Sequence, residues 1–421
     1  MMKKVCKFMW LLGCLFLLQA QAVIATADDN TSSPWMIARL TMSGLKNGWS
    51  LTNFNGLNTI MSTNDGGAHW ATVSPKGFST FFDNDNPDQR NIGTAFIDER
   101  TAWVAQVGTF NGTDIIYVYH TINRGKSWTT IRFSTPREQQ INKVFINFTD
   151  LKHGYILTSS QTDRRGEEGK SIYTSDNGGK TWILATDDKK LVGGRVAAIP
   201  SSSYVTGFEF NNILSGWVTT TYFGGRTAPL YHTVDGGTSW VACSLQRPAS
   251  VSINTYITAL VPIFFDNNRR VGITTVCYRD AQDRTTIATY STIDGGDTWS
   301  APMCFNLSAI GHSPICHFRD LSHGWMWTSD GLTLLSTTNA GHDWTVLNSG
   351  RMYQGFYTPT VIDFITARRG WAVVRPEITL VKTNNSYLMT GKWVSFLFFT
   401  DDAGKTWKQQ KFFAVNNTPH K

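Results

Sequence analysis

The stretch Thr292-Ile293-Asp294-Gly295-Gly296-Asp297-Thr298-Trp299 returns six more times along the chain in imperfect copies. The other copies end at Trp70, Trp128, Trp182, Trp240, Trp344 and Trp407. Every copy keeps Ser or Thr seven places before the Trp and Gly three before it. Five before the Trp stand Asp65, Asn123, Asn177, Asp235, Asp294, Asn339 and Asp402 in turn. Seven matches in register mark an internal repeat. An Asp or Asn side chain can accept hydrogen bonds from N–H groups just ahead of it and fix a tight turn, while Gly supplies positive φ there. Burial of the Trp ring, worth on the order of 2–3 kcal/mol, then anchors the turn to its neighbours.

A second motif precedes each copy: an apolar strand, a polar turn, then Gly-Trp or a relative opening another strand. These are Gly48-Trp49, Ala102-Trp103, Gly154-Tyr155, Gly216-Trp217, Gly272-Ile273, Gly324-Trp325 and Gly370-Trp371. Each unit therefore contains four short strands, and the units recur about every 56 residues. Such a unit cannot bury both faces of its sheet alone, so neighbours must stack radially. The expectation is an all-β, seven-bladed β-propeller with four-stranded antiparallel blades over 34–415 and short tails at 28–33 and 416–421. The first unit begins with its own innermost strand, so a swapped closing strand is not required.

The chain has 421 residues, 41% hydrophobic and 16% charged, with 16 Trp and 25 Phe. This composition supports a large core and argues against disorder. Residues 1–27 read as a signal peptide: Lys3, Lys4 and Lys7 lead, Phe8 to Leu18 is apolar, and Ala20-Gln21-Ala22 suits cleavage. Leu11-Leu12-Gly13-Cys14 offers a lipoprotein alternative. Either route predicts export, secreted or periplasmic, and no later stretch is apolar enough to span a bilayer as a helix. The net charge of +7 falls to +4 without the three leader lysines, and nucleic acid is not expected as a partner. Outside the leader stand Cys243, Cys277, Cys304 and Cys316. Disulfides Cys304–Cys316 and Cys243–Cys277 are the preferred pairing, with other pairings and free thiols as alternatives. No metal or cofactor motif is found. Gly125-Lys126-Ser127, Gly179-Lys180-Thr181 and Gly404-Lys405-Thr406 lack the earlier Gly of a phosphate loop. The Asp83 segment lacks the Gly and Glu of a calcium loop.

In the expected blade, the long second-to-third and inter-blade connections share one face, and the repeated turns share the other. Function is expected on the long-loop face. It carries Arg164, Arg165, Arg226, Arg279, Arg284 and Arg351, suited to carboxylates, with Tyr222 and Tyr353 among its aromatics. Its acids include Asp83, Asp85, Glu167, Glu168, Asp280 and Asp283, none of them paired by a motif. No catalytic residue is assigned.

The repeated turn resembles the Asp-box, or BNR, repeat, Ser/Thr-x-Asp-x-Gly-x-x-Trp. Its alternation with Gly-Trp strands looks most like propellers of the photosystem II stability and assembly factor type, and more distantly like sialidase, sortilin and xyloglucanase propellers. The resemblance implies a binding scaffold with an arginine-bearing surface, and Asp-boxes that shape the fold away from any site. A sialidase would show an Arg-Ile-Pro motif, which Arg195-Val196-Ala197-Ala198-Ile199-Pro200 does not match. The expected function is an exported, non-catalytic scaffold binding protein, with carbohydrate as the other ligand class. A secreted glycoside hydrolase using carboxylates of the long-loop face is the alternative. Monomer is the preferred state.

Overall fold

The structure is a computed structural model that describes residues 35–54, 57–78, 91–111, 113–135, 140–161, 167–187, 191–192, 195–196, 199–223, 229–266, 268–307, 315–328, 333–347, 357–376, 379–382, 387–390, 395–410 and 414–415. Among them there are only strands and turns, and no helix is long and apolar enough to cross a membrane. The expected signal peptide and tails lie outside the described residues.

The strands form an all-β propeller of four-stranded antiparallel sets. The first set runs Trp35–Met42, Gly48–Phe54, Leu57–Thr63 and Trp70–Thr72, each strand pairing with the next. The second covers Ile92–Phe96 to Thr129–Ser134 and the third Ile141–Phe148 to Ile183–Asp187. The fourth (Tyr204–Phe210 to Val241–Ala242) and fifth (Tyr256–Ala259 to Met303–Leu307) are fused into one nine-stranded sheet. The fusion arises because Thr221–Phe223, the end of the fourth set's second strand, pairs with Tyr256–Thr258 of the fifth. The sixth set spans Ile315–Asp320 to Thr345–Val346, and the seventh Tyr357–Phe364 to Lys408–Gln410 with an inserted hairpin at Thr379–Thr390.

Apolar clusters fill every seam between successive sets, and one joins the seventh back to the first through Ile37, Leu40, Met61, Trp70, Trp371 and Leu397. Across that seam the Trp371 indole donates to the Gly66 carbonyl at 3.0 Å, and the Met42 N–H donates to Asp363 at 2.9 Å. One closing strand does occur: Ala414–Val415 pairs in parallel with Trp70–Ala71 on the outer edge of the first set. It adds a strand there and substitutes for none.

The repeated turn is locked by its own side chains. Its leading hydroxyl accepts the N–H of the Gly four places on, as in Thr292 to Gly296 at 2.9 Å, and donates to the Asp or Asn at 2.7 Å in that copy. The acid or amide then accepts the N–H four places further, 3.0 Å for Asp294 and Thr298. Two successive residues take left-handed φ, 83° and 92° at Gly295 and Gly296, which glycine adopts without the clash a Cβ would bring.

The Gly-Trp motif has a packing cause. The Phe210 ring lies over Gly216, where an added Cβ would come 2.7 Å from the ring, and its other face stacks on Tyr155 of the preceding set at 3.5 Å. Phe364 lies likewise over Gly370 and stacks on Trp325 at 3.7 Å. Where Ala102 replaces the glycine, Phe96 stands off from Trp49 at 5.5 Å. A missing Cβ thus lets two neighbouring sets share one aromatic stack.

The expected disulfides are not formed: all four cysteines are free thiols. Cys304 sits exposed on the outer strand of the fifth set, opposite Ala288. Cys316 lies on the inner strand of the sixth set and shares the seam cluster with Cys277, and Cys243 packs beside Trp217 and Trp299. Cys304 stands on an outer strand and Cys316 on an inner one, so nearness in sequence does not bring them together.

Candidate functional site at the axis

First strands lie innermost, and the residue paired with the Trp of each Gly-Trp motif recurs at one level of the axis. The described positions are Thr41, Ala95, Asn147, Glu209, Ile263, His317 and Asp363. Each precedes the aromatic, or Met42, at or near the end of its strand. A first strand exposes an unpaired edge, and the polar members of this level cover it. Asn147 accepts the Phe210 N–H at 3.1 Å, His317 accepts the Phe364 N–H at 3.3 Å, and Asp363 accepts that of Met42. Burial lowers the pKa of His317 and raises that of Asp363, which favours the uncharged pair. Burial pushes the Glu209 carboxyl up to about 7 against the pull of Arg269.

Toward the long-loop face the axis opens into a cavity of about 390 Å³ lined by Arg39, Lys143, Phe145, Tyr204, Thr206 and Thr221. Three sets contribute: the first (Arg39), the third (Lys143 and Phe145) and the fourth. The Lys143 ammonium bonds Glu168 at 2.5 Å with both side chains nearly sealed, at 7% and 3% exposure. Glu168 also accepts the Val205 N–H at 2.7 Å, and the ammonium lies 5.8 Å from the Tyr204 ring centroid. The acid and cation together bind the inner strand of the fourth set to the third. Asp114 does the same one set earlier, accepting the Ile141 N–H at 2.7 Å.

The expected site residues meet different fates. Arg164, Arg165, Arg226, Arg351 and Tyr353 lie outside the described residues, as do Asp83 and Asp85. Arg279 and Arg284 flank one hairpin on the long-loop face. Arg279 lies 5.2 Å over the Tyr256 ring and 3.8 Å from Asp283, while Arg284 bonds Asp280 at 2.7 Å. Tyr222 is not a surface contact: it is 7% exposed, packs with Ile257, Val276 and Tyr290, and burial pushes its hydroxyl up to about 12. Strand alternation turns its ring into the fifth set's core. The reading from sequence missed Arg39, Lys143 and the axial level. The axial level had a signal, since each member stands one residue before the aromatic that precedes Gly-Trp.

Among the described residues no group of three or more His, Cys, Asp or Glu is placed to hold a metal ion. The cavity therefore offers a guanidinium, a paired ammonium, hydroxyls and an aromatic rim. This arrangement can bind a carboxylate or another anion.

No protein-family description matches the chain, and no curated protein matches it in sequence. Solved structures are similar to it in fold. A GH74 xyloglucanase from Xanthomonas campestris is 13% identical, covering 92% of this chain and 68% of its own, with a TM-score of 0.36. The α-L-arabinanase of Penicillium chrysogenum is 12% identical over 68% of this chain and 89% of its own, at a TM-score of 0.42. The GH93 α-L-arabinofuranosidase of Fusarium graminearum is 13% identical over 76% and 93%, at 0.39. These likenesses concern the fold, and function is argued from the site.

Proposed function

We propose that this chain is an exported, seven-bladed propeller of the Asp-box type that acts as a non-catalytic binding or assembly scaffold. Its partner, a protein presenting carboxylates, docks on the long-loop face around the axial cavity. The observation that carries this reading is the cavity's chemistry. Arg39, Tyr204, Thr206 and Thr221 surround it, and the acid beside it, Glu168, is committed to Lys143 and the Val205 N–H. Glycoside hydrolysis requires two carboxyls roughly 5–9.5 Å apart across a sugar, and no carboxyl is among the described lining residues. Arg279 and Tyr256 extend the same face on the fifth set. The partner is sought by capture from the exporting cell's envelope with wild-type and Arg279→Ala protein. A specific partner should be lost with the variant; capture unchanged by it would remove Arg279 from the interface.

One observation favours a second reading, a secreted glycoside hydrolase. Glu209 stands on the axial level opposite Trp217, and burial pushes its carboxyl up to about 7, the direction a general acid needs. Incubation with sialyl, arabinan and β-glucan substrates separates the readings. The scaffold predicts no turnover, and turnover abolished by Glu209→Gln would establish the enzyme.

A further inference from the structure

Away from the axis, the seam between the second and third sets opens at its outer rim into a groove of about 520 Å³. The second set supplies Phe110, Arg132, Phe133 and Ser134, and the third supplies Trp182 and Leu184. Phe133, Trp182 and Leu184 also pack against the core of this seam, whereas Phe110 and Arg132 stand outside it. Phe110 ends a nine-residue strand at a hairpin tip and is 53% exposed, yet the Arg132 guanidinium is 5.7 Å from its ring centroid. Deeper in, Phe133 and Trp182 stack in offset fashion, 6.1 Å apart with planes 21° off parallel. Arg132 is the one charged side chain among the described lining residues, and no acid among them opposes it.

We infer that this groove is a binding site for a uronic-acid-bearing oligosaccharide. The C–H face of a pyranose packs against a flat apolar ring, which Phe110 and the half-buried Phe133 and Trp182 offer. A uronate carboxylate matches the guanidinium fork of Arg132 and balances its charge. The Ser134 hydroxyl is at hand for a sugar hydroxyl, and the volume lies within the range of roughly 300–1,000 Å³ usual for small-ligand sites. Because the groove is built from outer strands and a hairpin tip and shares no lining residue with the axial cavity, its occupancy is independent of that cavity.

The test is calorimetric titration of the whole protein with trigalacturonate, with neutral cellotriose and with an acidic aromatic dipeptide. Trigalacturonate should bind, at least tenfold more tightly than cellotriose or the dipeptide. Phe110→Ala and Arg132→Gln should each weaken it at least tenfold with melting temperatures unchanged, Arg132→Lys should recover part of the loss, and Arg279→Ala should leave it unaltered. The proposal is overturned if trigalacturonate does not bind, if binding is indifferent to both groove variants, or if cellotriose or the dipeptide binds equally well.

Discussion

Asn339 and Asp294 hold the same place in two copies of the turn, and the partners four residues on differ in kind. Asp294 accepts from the Thr298 hydroxyl at 2.5 Å, whereas the Asn339 amide donates to the Asp343 carboxylate at 2.9 Å. The amide copies at 123 and 177 likewise donate to Ser127 and Thr181. Asn339→Asp would set two carboxylates face to face and should cost about 1 kcal/mol at pH 7. Parallel melts should show the gap to wild type closing at pH 3; a constant gap would mean that charge is not its cause. The Asp294 carboxyl is held at about 2, first by the Thr298 hydroxyl and then by its N–H. Its folded pKa lies below the ordinary carboxyl value of 3.8, so its contribution is full above about pH 4 and disappears as pH falls through 2. Asp294→Asn should flatten the acid limb of the stability curve, and an unchanged limb would contradict this. Glu209 has the opposite sign. Raised from 4.5 to about 7, it stabilises fully below pH 4.5 and loses that contribution as pH rises through 7. Glu209→Gln should match wild type at pH 4 and exceed it at pH 8 by on the order of 1–2 kcal/mol, discounted because the side chain is not fully sealed. Equal stability at both values would show that the carboxyl is not strained by burial.

At the scale of the element, each inner strand is joined to its successor by the shared aromatic stack. Gly216→Ala brings a Cβ to 2.7 Å from the Phe210 ring and should cost about 1–3 kcal/mol, read from denaturant midpoints. Little change would mean that Phe210 can retreat as Phe96 does beside Ala102. The four-strand organisation was legible in the sequence because two motifs alternate in strict register. Trp217 and Trp240, for instance, mark the second strand and the repeated turn of the fourth set. The fusion of the fourth and fifth sets was not legible, since it depends on Thr221–Phe223 extending past its own neighbour. Nor was the fate of the cysteines, because four thiols carry no pairing information and chain distance is a poor guide across an axis.

Across the whole molecule, the two faces divide the work. The turn face is held by local hydroxyl, amide and carboxylate bonds, and the long-loop face opens the cavity shared by Arg39, Lys143 and Tyr204. Loop length pointed to the long-loop face, where this cavity opens, but did not single out the residues that line it. Arg279 stands part-buried beside Asp283, while Tyr222 was misplaced because a long apolar strand does not reveal which face of it is buried. Arg39 and Lys143 sit within inner strands, where sequence gives no sign that residues 104 positions apart meet at the axis. The most direct measurement is crosslinking mass spectrometry of the captured partner, using wild type, an Arg39→Ala/Arg279→Ala double variant and the turn-face variant Ile293→Asp. The scaffold account predicts crosslinks around the axial cavity that disappear only with the double variant. Crosslinks lost with Ile293→Asp but retained in the double variant would contradict it.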